Sequence, residues 1–353
     1  MVFLIRNTLL SMSLFALTGC QLGYIAESAF YQAKLMRARV PLKYALENYK
    51  LNENQRKKIE LAIELRSFMN RDLGLDTDSN YSRYVHLDRD YVTYAVNAAP
   101  KDELKQYKWH FPILGSVPYK GYFKKQSAVE EEKELKKKGL DTHLRGVSAY
   151  STLGWFEDPL LSSMLRMKEH HFVNTLIHET VHANLYIAGK SKFNERIATF
   201  LGQLGAEAYY KKKNRIEELN KIVSDETHDE LMFSEFITRE LAVLRKWYKA
   251  NKGNSELLTL REKEFSKMQS RFEKDTLTKM KTKQYSWFPK RKLNNAFLLL
   301  LELYNSDFST LEVIANKHNR DFETMFQILK KLESEEFPEK KLREMAQQIS
   351  SKS

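Results

Sequence analysis

Residues 170–185 read HHFVNTLIHETVHANL, and the fold turns on how this stretch is laid out. Phe172, Val173, Leu176, Ile177, Val181 and Leu185 recur at three- and four-residue spacing, which makes the apolar face of a buried helix. His178, Glu179 and His182 are set into that same helix. A buried neutral helix has little reason to carry two imidazoles and a carboxylate, because unpaired buried polar groups cost free energy. Histidines at i and i+4 stand one above the other, so both rings reach a single tetrahedral cation. Glu179 points near that cation without binding it and is placed to move a proton. His170 and His171 precede His178 by about two turns and read as surface or supporting groups, not ligands.

The run His178-Glu179-Thr180-Val181-His182 resembles the HExxH pattern of zinc peptidases. In such a site Zn²⁺ lowers the pKa of water toward about 7. Glu179 then accepts a proton from the attacking water and returns one to the leaving amine. A catalytic zinc needs a third protein ligand. No histidine completes HExxHxxGxxH, because positions 185 and 188 are Leu and Ala. The next acids are Glu195 and Glu207. Gly189 lets the chain turn, so a second helix starting near Asn194 can run back and offer Glu195, giving a His₂Glu site. Glu207, one element further on, is the alternative third ligand.

Working outward, Asp158-Pro159 predicts a helix start, with Asp as N-cap and Pro at the first position; the helix is then expected from Leu160 to about Ile187. Residues 145–156 (RGVSAYSTLGWF) read as a strand. Its Ser148–Trp155 part is the candidate to pair with an extended substrate. Tyr150 is the tentative oxyanion donor, with Tyr119, Tyr122 and Tyr304 as other possible donors. Glu157 is the nearest carboxylate in sequence for a substrate α-amine. Upstream, Tyr24–Asn70 reads as two helical pieces broken at Pro41, and stretches 84–98 and 109–123 as short strands. Val129–Lys138 reads as a solvated helix ended by Gly139. After Asn194 the chain is overwhelmingly helical, with a weaker break at Trp287-Phe288-Pro289. Asn294 and Asn295 carry no chemical role that can be read from sequence. The fold class is therefore α+β, predominantly helical: a mixed half with a small antiparallel sheet (20–160), an active-site helix pair (161–210) and a helical remainder (211–353).

The 353 residues are 42% hydrophobic and 29% charged, which excludes a wholly disordered chain. The net charge of +12 is evenly distributed. Residues 1–210 and 211–353 each carry 29 basic and 23 acidic side chains, so no nucleic-acid partner is expected. Residues 279–292 (KMKTKQYSWFPKRK) concentrate six basic and three aromatic residues. They read as a solvated loop between helices, with anionic lipid or cell-wall polymer as a second possibility. The single cysteine excludes an intrachain disulfide framework and a Cys-rich zinc site.

That cysteine closes the opening run MVFLIRNTLLSMSLFALTGC. Arg6 supplies a positive n-region, and Thr8–Leu17 an apolar stretch too short to span a bilayer, which takes about 20 residues. Leu17-Thr18-Gly19-Cys20 resembles the lipobox of bacterial lipoproteins. The resemblance implies a signal peptide over 1–19, cleavage before Cys20, and a diacylglycerol on its sulfur. Gln21, where aspartate would otherwise stand, resembles outer-membrane sorting, so the expected location is the cell envelope.

The run HETVHANLYIAGKSKFNERIATFLGQLGAEAYY (178–210) is similar to the putative aminopeptidase family of bacterial lipoproteins. So are LGLDTDSNYSRYV (73–85), YAVNAAP (94–100), FPILGSVPYKGYF (111–123), GVSAYSTLGWFEDPLLSSML (146–165) and LNNAFLLLLELY (293–304). The resemblance spans about residues 31–332. It implies a zincin-like metallopeptidase core over 20–353, with His178, His182 and Glu195 on Zn²⁺, Glu179 as the catalytic acid and a peptide as substrate. Thr180-Val181 departs from the leucine and alanine more usual in the family, at positions that bind nothing. Three readings compete with an aminopeptidase: an endopeptidase or cell-wall peptide hydrolase using the same site, a non-catalytic metal-binding lipoprotein, and a binding module built on the basic patch.

Overall fold

Asn52 starts the first long helix. Its side chain accepts from the backbone N–H of Gln55, and the Gln55 side chain accepts from the N–H of Asn52, so two orphan donors are satisfied reciprocally. The computed structural model describes residues 23–351 apart from 78–79, 112–114, 150–156 and 305–307. Cys20, the signal run and Tyr150 lie outside the described residues.

A helix over 23–37, here α1, leads to β1 (Val40–Pro41), α2 (Leu42–Asn48) and α3 (Glu53–Asp72). Strands β2 (Arg83–Val85), β3 (Thr93–Ala99), β4 (Trp109–Phe111), β5 (Gly115–Val117) and β6 (Tyr119–Tyr122) follow. Then come α4 (Lys125–Lys137), β7 (Asp141–Val147), β8 (Leu160–Leu161), α5 (Glu169–Asn184) and α6 (Ser191–Lys212). The rest is α7 (Ile216–Ala250), α8 (Leu257–Arg271), α9 (Asn295–Tyr304), α10 (Ser309–Lys317), α11 (Phe322–Lys330) and α12 (Pro338–Ser350). The chain is thus α+β and predominantly helical.

The strands form one small antiparallel sheet, β6-β3-β7, together with the sheet β1-β2-β8 and the pair β4-β5. In the first sheet Ala95 lies opposite Gly121 on one side and Arg145 on the other. One face, carrying Val96, Ala98 and Tyr122, packs on Ala128 and Leu135 of α4. The other face, by the two-residue alternation of a strand, presents Ala95, Gly121 and Arg145.

The start of the active-site helix differs from expectation. Asp158 is not a helix cap: its N–H donates to the Asn80 side chain at 2.7 Å, and its C=O accepts from Tyr81 at 2.7 Å. Leu160 and Leu161 then pair in parallel with Tyr84 and Val85, and a 3₁₀ turn over Met164–Arg166 intervenes before α5 begins at Glu169. Burying two leucines while pairing their backbones with β2 outweighs the local capping signal.

The main core joins α3, α5 and α6 to α10, α11 and α12. Gly205 permits the α5–α6 contact, since a Cβ there would fall 2.9 Å from Cγ2 of Ile177. A second core gathers Phe233 and Phe236 of α7 with Phe272 and Phe288. Tyr285 stacks on Phe233 with centroids 4.1 Å apart. The aromatics of the basic run 279–292 are therefore packing groups. Asn295, fully buried, accepts from the Tyr248 hydroxyl at 2.8 Å and donates to Pro100 O at 2.9 Å. Its N–H donates to Asp141, which also pairs with Arg261 at 2.8 Å. Asn295 thus ties α9 to α7, β7 and the loop after β3.

Candidate active site

Helix α5 ends where the N–H of Leu185 closes onto Val181 O, and the chain turns through Gly189 at φ +75°. Asn194 holds that turn: its side chain accepts from Ile187 N at 3.0 Å and donates to Ile187 O at 2.8 Å. Helix α6 then runs back along α5, with the Tyr210 hydroxyl reaching Glu169 at 3.0 Å. This hairpin carries Glu195 to the His178–His182 face.

Nε2 of His178 lies 3.8 Å from Oε2 of Glu195, and Nε2 of His182 lies 3.7 Å from Oε1. Both separations are too long for hydrogen bonds. They slightly exceed the spacing of about 3.3 Å implied by two zinc ligands at about 2.0–2.1 Å in tetrahedral geometry. Three largely buried donor atoms of the type zinc prefers thus face one another with room for a cation between them. The donor set fits a zinc ion. Among the described residues, the buried Nδ1 of His182 finds no hydrogen-bond partner.

Charges are unequally shared. Burial lowers His178 to about 4, and the neighbouring His182 adds to the effect. Burial also acts to lower His182, but the Glu195 carboxylate outweighs it and raises the imidazole above its ordinary value. Burial alone would raise Glu195, yet His182, His178 and Arg145 together hold it below the usual carboxylate range. Glu179 is pushed up to about 7, chiefly by burial, with Glu195 and Asp158 adding to the rise and His182 opposing it. A carboxyl that exchanges its proton near neutrality suits a general acid–base.

These groups lie along a cleft of about 1070 Å³. Helix α1 lines it with Ile25, Ala29 and Met36, and the sheet lines it with Thr93, Ala95, Tyr119, Gly121, Arg145 and Val147. The Tyr24 hydroxyl donates to Gly121 O at 2.9 Å and so fastens α1 to β6.

Glu207, the alternative ligand, is instead taken up by Arg320, at 3.0 and 2.9 Å. Of the possible oxyanion donors, Tyr119 lines the cleft. Tyr122 belongs to the opposite face and donates to Glu131 at 2.8 Å. Tyr150 and the side chain of Tyr304 lie outside what is described. Glu157 does not line the cleft; its half-exposed carboxylate pairs with Arg39 at 3.2 Å. His170 and His171 lie 3.1 and 3.6 Å from Glu226, which also binds Lys168 at 2.8 Å. That cluster ties α5 to α7 away from the cleft.

Tyr186 and Arg145 are among the cleft residues that escaped the sequence reading. Tyr186 lines the cleft, its phenol raised by burial and by Glu195; its spacing of four after His182 was the available signal. Arg145 sat in a recognised strand, but nothing local marked the direction of its side chain.

A family model described as putative aminopeptidase matches residues 23–344. No curated protein and no solved structure matches the chain.

Proposed function

The chain belongs to the putative aminopeptidase family, and from that premise we propose that it is a zinc-dependent peptidase whose centre is His178, His182, Glu195 and Glu179. One observation carries the reading: two imidazoles and a carboxylate converge at 3.7 and 3.8 Å, beyond hydrogen-bonding distance, on the wall of a large cleft. Largely buried donor atoms paired only through such long contacts are better satisfied by a cation held between them.

His178, His182 and Glu195 would hold the ion, which supplies Lewis acidity toward the peptide carbonyl and toward water. Glu179 takes the proton as water oxygen adds to the carbonyl carbon. As the C–N bond breaks, it delivers that proton to the leaving amine. Tyr186 and Tyr119 offer hydroxyl donors to the oxygen that gains charge. The zincin-like assignment rests on this ligand set, and an aminopeptidase specificity on the family description alone.

The chain is further proposed to be a lipoprotein of the bacterial envelope, on the strength of Leu17-Thr18-Gly19-Cys20. Anchoring at Cys20 would set the cleft-lining helix α1 close to the membrane surface. Mass analysis of the mature amino terminus tests this, with a diacylglyceryl-modified Cys20 expected and an unmodified thiol against it.

Metal analysis together with the Glu179→Gln variant tests the enzyme. Wild type should carry one zinc per chain and hydrolyse peptides in a chelator-sensitive way, and the variant should keep the zinc and lose turnover. A metal-free, inactive wild type would overturn the proposal.

A further inference from the structure

Outside the cleft, the first turn of α5 holds a second set of groups that the mechanism does not use. His170 and His171 are consecutive, and consecutive side chains on a helix point about 100° apart. Here they converge instead. The two ring centroids lie 4.0 Å apart. Both Nε2 atoms face the same carboxylate oxygen of Glu226 on α7, at 3.1 Å from His170 and 3.6 Å from His171. The other oxygen of Glu226 accepts from Lys168 Nζ at 2.8 Å, which holds the carboxylate with Oε2 turned to the rings.

Hydrogen bonding explains one of these contacts: the His170 distance suits a hydrogen bond, and the His171 distance exceeds one. A cation explains both. Two ligands about 2.0–2.1 Å from a tetrahedral zinc stand about 3.3 Å apart, a value that the two distances bracket. Ligand atoms of all three residues lie within 4.8 Å of one another. Two imidazoles and a carboxylate suit zinc and its first-row neighbours better than magnesium or calcium. His170 and Glu226 are largely buried and give the site a fixed base, while His171 is exposed and lets an ion in from solvent.

We propose that His170, His171 and Glu226 form a second divalent-cation site, of the zinc class, that staples the first turn of the active-site helix to α7. The site stands apart from the catalytic centre. His170 precedes His178 by eight residues, about 12 Å along the helix, and none of the three residues is among those lining the cleft. Lys168 and the positive end of α5 both oppose a cation here. The site is therefore weaker than the catalytic one, and protein isolated without added zinc carries the catalytic ion alone. The alternative is a plain ion-pair cluster, with Glu226 shared among Lys168 and the two imidazoles.

Zinc titration by calorimetry decides between them, using the intact chain without a histidine tag as wild type, His171→Ala and Glu226→Gln. The first variant trims an exposed side chain and the second keeps the volume of the glutamate, so both should fold. Wild type should take up two zinc ions per chain, the second more weakly, and the second equivalent should raise the thermal unfolding midpoint by a few degrees. Each variant should bind one ion fewer and lose that rise. A wild type that takes up a single ion retained by both variants would overturn the proposal, as would a second ion that either variant retains. Failure of the catalytic zinc site reads out differently: wild type then binds a single ion, and both variants abolish it. A wild type that binds no zinc overturns both sites.

Discussion

Asn194 grips Ile187 at both of its backbone polar groups, accepting from the N–H at 3.0 Å and donating to the C=O at 2.8 Å. Asn194 is 1% exposed, and its chain neighbour is Glu195, so the same clasp that shapes the turn sets where the third candidate ligand stands. Asn194→Ala would leave the Ile187 N–H buried without its partner, at about 1–3 kcal/mol, while the Ile187 C=O keeps the N–H of Lys190 at 3.2 Å. Urea unfolding should show a loss of that order, and zinc titration a weaker affinity. A variant as stable and as tightly metallated as wild type would refute the positioning role.

Two glycines on α6 make opposing demands on their neighbours. Alanine in a helix interior gains about 1 kcal/mol over glycine. At Gly202 the new Cβ would fall 2.6 Å from the Asn174 side-chain oxygen, an atom at the free end of a side chain that can swing aside, and 3.2 and 3.3 Å from Cβ of His178 and the Asn174 carbonyl oxygen, which need give by only a few tenths of an ångström. At Gly205 it would meet Cγ2 of Ile177 at 2.9 Å, an atom fixed by the stiff β-branched χ1 of a helical isoleucine. Gly205→Ala should therefore destabilise by about 1–3 kcal/mol, and Gly202→Ala by clearly less. Denaturation midpoints of the two variants compare them directly, and the reverse order would contradict the account.

His178 and His182 were legible because their relation is local: four residues along a helix fixes a shared face whatever lies around it. Glu195 was within reach for a similar reason, being the first acid after a Gly-permitted turn. Arg145 and the α1 wall were not legible, since each joins the cleft through long-range pairing, Arg145 through its register with Ala95 and α1 through Tyr24 on Gly121. Asp158-Pro159 misled for the converse reason. Its capping signal was local, but β8 pairing with Tyr84 and Val85 decided the backbone. The basic run 279–292 is the largely exposed stretch between helices that its composition suggested, but composition counts aromatic residues without saying that Phe288 and Tyr285 enter a core.

Glu179 supplies a stability signature in chelated protein. Its carboxyl is raised from 4.5 to about 7, by burial first. Between those values the unfolded chain gives up a proton that the folded chain retains, so this group's contribution to stability falls as pH rises through the window and levels off above about 7. His178, lowered from 6.5 to about 4, acts with the opposite sign over much of the same range. The measurement is therefore the difference between wild type and Glu179→Gln. With metal removed, the variant should gain on wild type as pH rises from 4.5 to about 7, by at most about 1.4 kcal/mol per pH unit. A pH-independent difference would show that Glu179 titrates normally.

Asp229 performs for the basic segment what Asn194 does for the active-site turn. Its Oδ1 accepts from Lys281 N at 2.7 Å, and its Oδ2 accepts from Thr282 N at 2.7 Å and from the Thr282 hydroxyl at 2.6 Å. Burial pushes the carboxyl upward, but these donors prevail and hold it below 3.8. Its contribution is therefore complete above pH 3.8 and is lost as pH falls through the lower folded value. Asp229→Asn keeps the size but offers one accepting oxygen for donors on both sides, and its amide would confront an N–H. The variant should lose about 1–3 kcal/mol at neutral pH, and amide exchange should speed up across 281–288, where Tyr285 and Phe288 dock on Phe233. Because α7 carries both Asp229 and Phe233, freeing the backbone at 281–282 removes the restraint that delivers the aromatics. Unchanged exchange there would mean that the aromatic packing alone holds the segment.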